Sequence, residues 1–268
     1  MEKKFKLGVI GAGFMATALI KGAINSSSVD KNLICACDLS KDALDRISGL
    51  GVNVTSDSLY LCDNSEFVLF AIKPQNLNDV LKTIKDTTCR KFISIMAGVK
   101  KEKIRNAFPN AMVARCMPNT PCAIGEGAVG LDVYDYTEKS DVEFIIGLLS
   151  SLAKVVLIKE EMLGVVTGIS GSSPAYFYLF LKGVIDAGVK RGLTYEQSKT
   201  LATATMIGAG KMVELNSDKS LDELINAVCS KGGTTIEAIN TFNENKILDI
   251  VDDAVDACIK RSNELEKL

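Results

Sequence analysis

Short apolar runs alternate with amphipathic stretches over the first part of the chain. The runs FKLGVI, LICACD, FVLFAI, KFISIMAG, AMVARCM and KVVLI predict strands. Residues 15–24 and the stretches KDALDRIS and LNDVLKTIK have apolar residues at helical spacing and predict helices. Because the strand runs show little polar alternation, they indicate strands buried on both faces. Strands that alternate with helices predict an α/β fold with a parallel, doubly wound sheet.

The pattern changes after Ile158, beyond which no run predicts a strand. Five helices are predicted there, over residues 176–191, 194–215, 221–229, 235–243 and 246–266. Gly192 and Thr194 supply a helix stop and an N-cap between the first two. We therefore predict two domains, an α/β domain over residues 1–160 and an all-α domain over residues 161–268.

The helical half is rich in small and apolar residues, as in ATATMIGAGKM and PAYFYLFLKGVIDAG. This composition suits either an ordinary helix-bundle core or a helical dimer interface. A helical domain of this length buries only a modest core by itself, so the dimer interface stays a full alternative.

Composition excludes several classes of protein. The chain has 268 residues, and its 31 basic and 33 acidic side chains include no basic block typical of a nucleic-acid or membrane-surface binder. The N-terminal residues lack the apolar core of a signal peptide, and the charge-free stretch 175–181 is too short to span a bilayer. Eight scattered cysteines without a CxxC pair indicate reduced thiols, a cytoplasmic location and no metal site. The absence of histidine excludes every catalytic scheme that needs an imidazole, including Ser–His–Asp hydrolysis.

A glycine-rich loop follows the first predicted strand. Gly11-Ala12-Gly13-Phe14-Met15-Ala16 has the form G-x-G-x-x-A and stands directly before a predicted helix. Glycines permit a tight turn and close approach of a pyrophosphate, and the helix N-terminus supplies free N–H groups. The loop therefore predicts a dinucleotide site in a Rossmann-type domain, the alternative being a plain tight turn.

Asp38 ends the second predicted strand, where an acid usually accepts hydrogen bonds from the adenosine ribose hydroxyls. On this residue NADH is favoured over NADPH as the cofactor; the alternative is a solvated aspartate at a strand end. A dinucleotide enzyme without histidine suits the reduction of an imine, whose nitrogen is basic enough to be protonated before hydride transfer.

Seven motifs follow one another along almost the whole chain: IGAGFMA, AIKPQ, SIMAGV, RCMPNTP, TGISGSSPAY, DAGVKRGL and VCSKGGTTIEAI. Together they resemble pyrroline-5-carboxylate reductase, the last enzyme of proline synthesis. The resemblance implies NAD(P)H-dependent reduction of 1-pyrroline-5-carboxylate to L-proline by a homodimer, which in many relatives assembles further to decamers. One departure is visible, because the family commonly has proline where this chain has Lys231.

The resemblance also implies site residues, with Met117 and Pro121 near the nicotinamide. The implied cofactor-binding residues are Ile10, Gly11, Ala12, Gly13, Phe14, Met15, Asp38, Ala71, Ile72, Lys73, Pro74 and Asn119. The implied substrate-binding residues, in a pocket between the cofactor domain and the dimer helices, are Val228, Gly232, Gly233, Thr234 and Thr235. Thr235 is the implied catalytic residue.

The chemistry of the second glycine segment agrees with this assignment. Backbone N–H groups of residues 232–234, at a predicted helix start, suit the substrate carboxylate. The Thr235 hydroxyl is suited to orient the ring nitrogen, but it is too weak an acid to deliver the proton outright. The alternative is a helix cap alone, because threonine is a good N-cap.

Other candidates have structural alternatives. Arg115 is a candidate partner for the substrate carboxylate or a member of a structural ion pair, and Ser172 is a candidate site residue or part of a serine cap before a proline-containing helix start. Two other functions stay open on the residues alone. One is a hydroxy-acid dehydrogenase that uses Lys182, Lys190 or Lys199, and the other is a non-catalytic dinucleotide sensor.

Overall fold

The computed structural model describes residues 3–136 and 138–266. Contacts divide the chain into two units, Met1–Ser172 together with Cys258–Leu268, and Ser173–Ala257. The predicted domains, 1–160 and 161–268, have other boundaries than these two contact-based units, and those domain boundaries stay a prediction. One contact of the C-terminal segment with the rest of the first unit is a hydrogen bond of 2.6 Å that Nη2 of Arg115 donates to Oε1 of Glu266.

The first unit is built on one sheet of eight strands. They are β1 (Phe5–Ile10), β2 (Ile34–Cys37), β3 (Asn53–Thr55), β4 (Ser65–Phe70), β5 (Lys91–Ser94), β6 (Met112–Pro118), β7 (Gly127–Asp132) and β8 (Ala153–Leu157). Their order is β3-β2-β1-β4-β5-β6-β7-β8. Neighbouring strands are parallel except β6 and β7, which are antiparallel.

The predicted doubly wound α/β fold is therefore confirmed, with one antiparallel pair that the sequence pattern did not predict. All six predicted strands are present. The pattern missed β3, which has three residues, and β7, whose sequence GAVGLD contains two glycines. A run of three residues is too short to give a strand pattern, and glycine is depleted in strands, so neither segment is recognisable as a strand from its own sequence.

Helices flank this sheet. They are α1 (Phe14–Asn25), α2 (Lys41–Ser48), α3 (Ser58–Asn64), α4 (Leu77–Thr83), α5 (Lys101–Ala107), α6 (Lys139–Ser150) and α7 (Leu163–Val166). Along β4, Phe67 and Leu69 belong to one apolar cluster, and Val68 and Phe70 belong to another. Alternate residues of the strand thus enter different clusters and all are buried, as expected for a strand covered on both faces.

The second unit consists of helices. They are α8 (Ser173–Lys190), α9 (Tyr195–Leu215), α10 (Leu221–Val228), α11 (Thr234–Glu244) and the first part of α12 (Ile247–Leu265). These five match the five predicted helices to within a few residues. Thr194 caps α9 as predicted, and with Gln197 it forms a capping box. In the part of the chain that is described, no strand follows Leu157.

The helical unit has almost no core of its own. Within Ser173–Ala257, all of which the structure describes, only Ser173, Ile185 and Ser198 are buried. Large apolar side chains are exposed instead, including Phe177, Leu179, Leu201, Ile207, Leu215 and Leu248. Exposed apolar surface on this scale marks an interaction surface. Across the described residues, none of the helices is both long and apolar enough to pass through a membrane.

Candidate active site

The glycine loop makes a turn that only glycine adopts without strain. Gly11 has φ +105°, and its N–H donates a 2.8 Å hydrogen bond to the carbonyl of Cys37. A Cβ at Gly11 would lie 2.5 Å from the carbonyl oxygen of Ala71. The next segment is fixed in turn, because the N–H of Ala71 donates a 2.8 Å bond to the carbonyl of Ile10.

The N-terminus of α1 is open to an anion. Gly13 is the N-cap residue, and no side chain caps the helix there. The N–H groups of the first helical turn therefore have no partner within the helix. A Cβ at Gly13 would meet nothing within 4 Å, and Phe14 beside it is exposed. This donor set, with the positive end of the helix dipole, fits a pyrophosphate.

Asp38 is held against the loop. Its Oδ2 accepts a 2.8 Å hydrogen bond from the N–H of Ala12, and its Oδ1 accepts a 2.9 Å bond from the N–H of Ser40. Both carboxylate oxygens thus bind backbone donors. Burial raises the pKa of the neighbouring Cys37 thiol to about 12, so that thiol stays protonated and unreactive.

Residues 71–74, which follow β4, lie at the same edge of the sheet as the glycine loop and Asp38. Ile10 is in register with Phe70 of β4 and with Cys37 of β2, and these strands are parallel. The segments that follow β1, β2 and β4 therefore leave the sheet together. Residues 71–74 carry on from β4, where Lys73 is exposed and precedes a 3₁₀ turn that starts at Pro74. The structure thus brings together the predicted cofactor residues 10–15, 38 and 71–74.

Asn119 follows β6 and is buried, and its side chain makes hydrogen bonds to other groups of the protein. Its Nδ2 donates to the carbonyl of Ser170 at 3.2 Å, and its Oδ1 accepts from the N–H of Ala128 at 3.0 Å. The Cys122 thiol also points at Oδ1, at 3.7 Å, and burial raises the pKa of this thiol so that it acts as a donor. These contacts fix the loop that begins at Asn119, an arrangement that the motif alone did not reveal.

A short π-helix contacts the end of β6 at Met117. It spans Thr167–Gly171, and a Cβ at Gly171 would lie 2.6 Å from Cε of Met117. π-helical turns are rare and occur frequently at functional sites. Just after it, Ser172 accepts a contact of 3.2 Å from the Cys258 thiol, a pairing that sequence reasoning missed because 86 positions separate the two residues.

The second glycine segment lies in the helical unit. Gly232 has φ +73°, and Gly233 is the N-cap of α11, again without a side-chain cap. Thr234 and Thr235 are the first two residues of the helix, so neither is the cap that the alternative interpretation required. Both threonines are exposed, as is Val228 at the end of α10. The segment therefore combines a helix N-terminus without a side-chain cap with two exposed threonine side chains.

Arg115 is a structural residue. Its guanidinium is buried and lies between Glu160, at 3.2 Å, and Glu266, at 2.6 Å. The interpretation as a structural ion pair is confirmed, and the guanidinium has its charge balanced without a substrate carboxylate.

Comparison over the whole chain decides the family. A pyrroline-5-carboxylate reductase of Vibrio alginolyticus is 33% identical, over an alignment that covers 100% of this chain and 100% of the relative. The chain belongs to the pyrroline-5-carboxylate reductase family. Residues 160–265 match the family model for pyrroline-5-carboxylate reductase dimerisation. Residues 6–98 match the model for NADP oxidoreductase, coenzyme F420-dependent.

Solved structures of this reductase family share the fold. A pyrroline-5-carboxylate reductase from Coxiella burnetii is 29% identical and superposes with a TM-score of 0.91, over 99% of this chain and 100% of that one. A pyrroline carboxylate reductase of Plasmodium falciparum, solved with NADP bound, is 30% identical with a TM-score of 0.87, over 99% and 100% of the two chains. The Rossmann-type domain and the helical dimerisation domain of the predicted fold class are thus confirmed.

Proposed function

We propose that this chain reduces 1-pyrroline-5-carboxylate to L-proline by hydride transfer from NAD(P)H, the last step of proline synthesis. The observation that carries the proposal is the full-length likeness to relatives that are named as this reductase. Two helix N-termini without side-chain caps support it, since the reaction brings together two anionic molecules.

Each anion has a site in this proposal. The N–H groups at the start of α1 hold the pyrophosphate, with residues 71–74 beside it, and those at the start of α11 hold the substrate carboxylate. Gly232 and Gly233 allow close approach because they carry no side chain. A bound nicotinamide supplies the hydride, which goes to the carbon of the C=N bond.

The proton on nitrogen does not require an acid from this chain. An imine nitrogen is basic enough to take a proton from water before the hydride arrives, which fits a chain of 268 residues with no histidine. Thr235 then accepts a hydrogen bond from the iminium N–H and orients the substrate ring for hydride transfer. Its role is orientation, which makes it the first residue to test.

The helical unit supports a homodimer as the working form. A unit with three buried residues has too little core to be stable by itself, and a second copy supplies the missing apolar surface. The match of residues 160–265 to a dimerisation model points the same way. The resemblance extends the proposal to decamers, which sedimentation distinguishes from dimers.

The decisive experiment is a paired assay with NADPH and NADH. We expect loss of absorbance at the nicotinamide band when pyrroline carboxylate is added, and formation of proline. Absence of turnover with both cofactors would sink the proposal. Oxidation of a short hydroxy acid would favour a dehydrogenase instead, although Lys182, one of the three lysines named for that alternative, is paired with Asp186. Dinucleotide binding without turnover of any imine would favour a sensor.

Thr235→Ala is expected to lower kcat/KM by about tenfold to a hundredfold, the loss of one hydrogen bond in the transition state. Thr235→Ser keeps the hydroxyl and should retain most of the activity. Thr241→Ala is the matched control, because the Thr241 hydroxyl on the same helix bonds only to the carbonyl of Glu237 at 2.9 Å. Steady-state kinetics at saturating cofactor measure all three. Equal rates for Thr235→Ala and wild type would remove Thr235 from the site.

Lys231 is the nearest basic residue before α11 and is exposed. Lys231→Gln should raise KM for pyrroline carboxylate about threefold at low ionic strength, because one surface charge near an anion is worth a few tenths to 1 kcal/mol. The difference should disappear at 1 M salt, where charges are screened within about 3 Å. Lys219→Gln, at another exposed lysine of the helical unit, is the control. A KM independent of both Lys231 and salt would contradict the prediction.

A further inference from the structure

Asp38 makes hydrogen bonds within the protein that a residue serving only to bind the cofactor ribose would not need. Its carboxylate accepts two backbone N–H groups, from Ala12 at 2.8 Å and from Ser40 at 2.9 Å. Carboxylates that accept backbone N–H bonds form some of the stronger hydrogen bonds in proteins. One of these donors is the residue between the two glycines of the dinucleotide loop.

Two consecutive N–H groups of the loop are thus tied to the end of β2. The N–H of Gly11 donates to the carbonyl of Cys37 at 2.8 Å, and the next N–H, that of Ala12, donates to the side chain of Asp38. The second contact holds the loop immediately before Gly13, the N-cap of α1. The direction in which the first turn of α1 presents its N–H groups therefore depends on Asp38.

The same carboxylate also orders the segment after β2. Ser40, whose N–H it accepts, is the N-cap of α2 and accepts a 3.3 Å hydrogen bond from the N–H of Ala43 through its own hydroxyl. Asp38 is only partly buried, and a carboxylate can accept further hydrogen bonds besides these two. One residue therefore fixes both chain segments that leave β1 and β2 on the cofactor side.

We propose that Asp38 is a positioning residue that acts through Ala12 on the dinucleotide loop, and that it affects the binding of NADH and NADPH equally. The inference rests on the proposed function, in that the loop binds a nicotinamide dinucleotide. It replaces the expectation that Asp38 selects NADH, because a residue that shapes the pyrophosphate site acts on the part that both cofactors share.

Three substitutions separate a positioning residue from a charge-based selector. Asp38→Asn removes the charge and leaves one acceptor oxygen, Asp38→Glu keeps the charge but displaces the carboxylate by one methylene, and Asp38→Ala removes both acceptors. Asp30→Ala is the matched control. Asp30 accepts a 2.8 Å hydrogen bond from the N–H of Asn32 in the turn before β2, at the opposite end of the strand from Asp38.

The measurement is the Kd of the full-length protein for NADH and for NADPH, from fluorescence titration without any imine present. We expect Asp38→Ala to raise both Kd values by about tenfold and by the same factor, with smaller equal increases for Asp38→Asn and Asp38→Glu. Asp30→Ala should bind both like wild type, although it loses a comparable hydrogen bond. Thermal unfolding of all four variants shows how much of the effect is stability.

Two outcomes would overturn the inference. One is a selective gain of NADPH affinity in Asp38→Asn, with Asp38→Glu unchanged, which is the behaviour of a selector. The other is unchanged Kd values in Asp38→Ala. Both are distinct from failure of the proposed function, which shows as absence of turnover of pyrroline carboxylate in a chain that still binds dinucleotide.

Discussion

Gly11→Ala should weaken the binding of NADPH and NADH about a hundredfold and lower the melting temperature. Gly11 has φ +105°, which lies outside the left-handed region that other residues visit, so the strain is of order 1–3 kcal/mol. The added Cβ would also lie 2.5 Å from the carbonyl oxygen of Ala71, a backbone atom that moves only if the end of β4 moves. Both effects displace the residues that present N–H groups to the pyrophosphate.

Gly13→Ala is the matched substitution two residues away. Gly13 has φ −78°, and its added Cβ would meet nothing within 4 Å. The melting temperature should therefore stay close to that of wild type, while dinucleotide binding weakens because the methyl group stands at the open end of α1. Fluorescence titration gives the affinities and calorimetry gives the stabilities. Wild-type affinity in Gly11→Ala would mean that the cofactor binds elsewhere.

Leu179→Glu is expected to abolish the dimer and, with it, at least 99% of the activity (about a hundredfold). Leu179 lies on α8 and is 72% exposed in the single chain. In a monomer such a substitution is harmless, since a surface charge costs little. In a dimer that buries this face, an unpaired carboxylate would enter an apolar interface, at a cost of several kcal/mol. The helices of the second unit then lose the partner that covers them.

Lys190→Glu provides the comparison, because Lys190 is an exposed polar residue on the same helix. It should leave mass, helix content and activity close to wild type. Analytical ultracentrifugation reports the mass, and circular dichroism reports the helix content. A Leu179→Glu protein that remains dimeric and active would show that α8 does not contribute this face to the interface.

Local signals predicted the helices of the second half well. The capping box at Thr194 and Gln197 starts α9 where the sequence places it, because cap and first turn are neighbours along the chain. The same holds for α2, whose eight residues match the predicted stretch KDALDRIS. β7 was missed for the opposite reason. Its pairing with β6, with Arg115 opposite Asp132, is made between distant residues, and GAVGLD carries no strand signal of its own.

The sequence singled out candidate segments, whereas the contacts that each side chain makes there came from the structure. The two glycine segments stood out because glycine before a helix is a local pattern with a physical meaning. Thr234 and Thr235 were predicted as substrate residues, with a helix cap as the alternative, and the structure gives the cap position to Gly233 and leaves both threonine side chains out of the cap. Asn119 stays a predicted cofactor residue, and the structure adds that its side chain bonds to the carbonyl of Ser170 and the N–H of Ala128, contacts that the motif did not reveal.

The sequence by itself predicted the fold class and most of the helices and strands, because apolar periodicity is a property of the chain alone, and the reaction class followed from the resemblance of its motifs to the reductase family. Only the tertiary structure decided what holds the dinucleotide loop. The hydrogen bond from Ala12 to Asp38 joins residues that are 26 positions apart, and it forms because β1 and β2 are adjacent and parallel in the sheet. A hydrogen bond depends on distance and direction in space, which the sequence does not specify until the sheet brings its strands together.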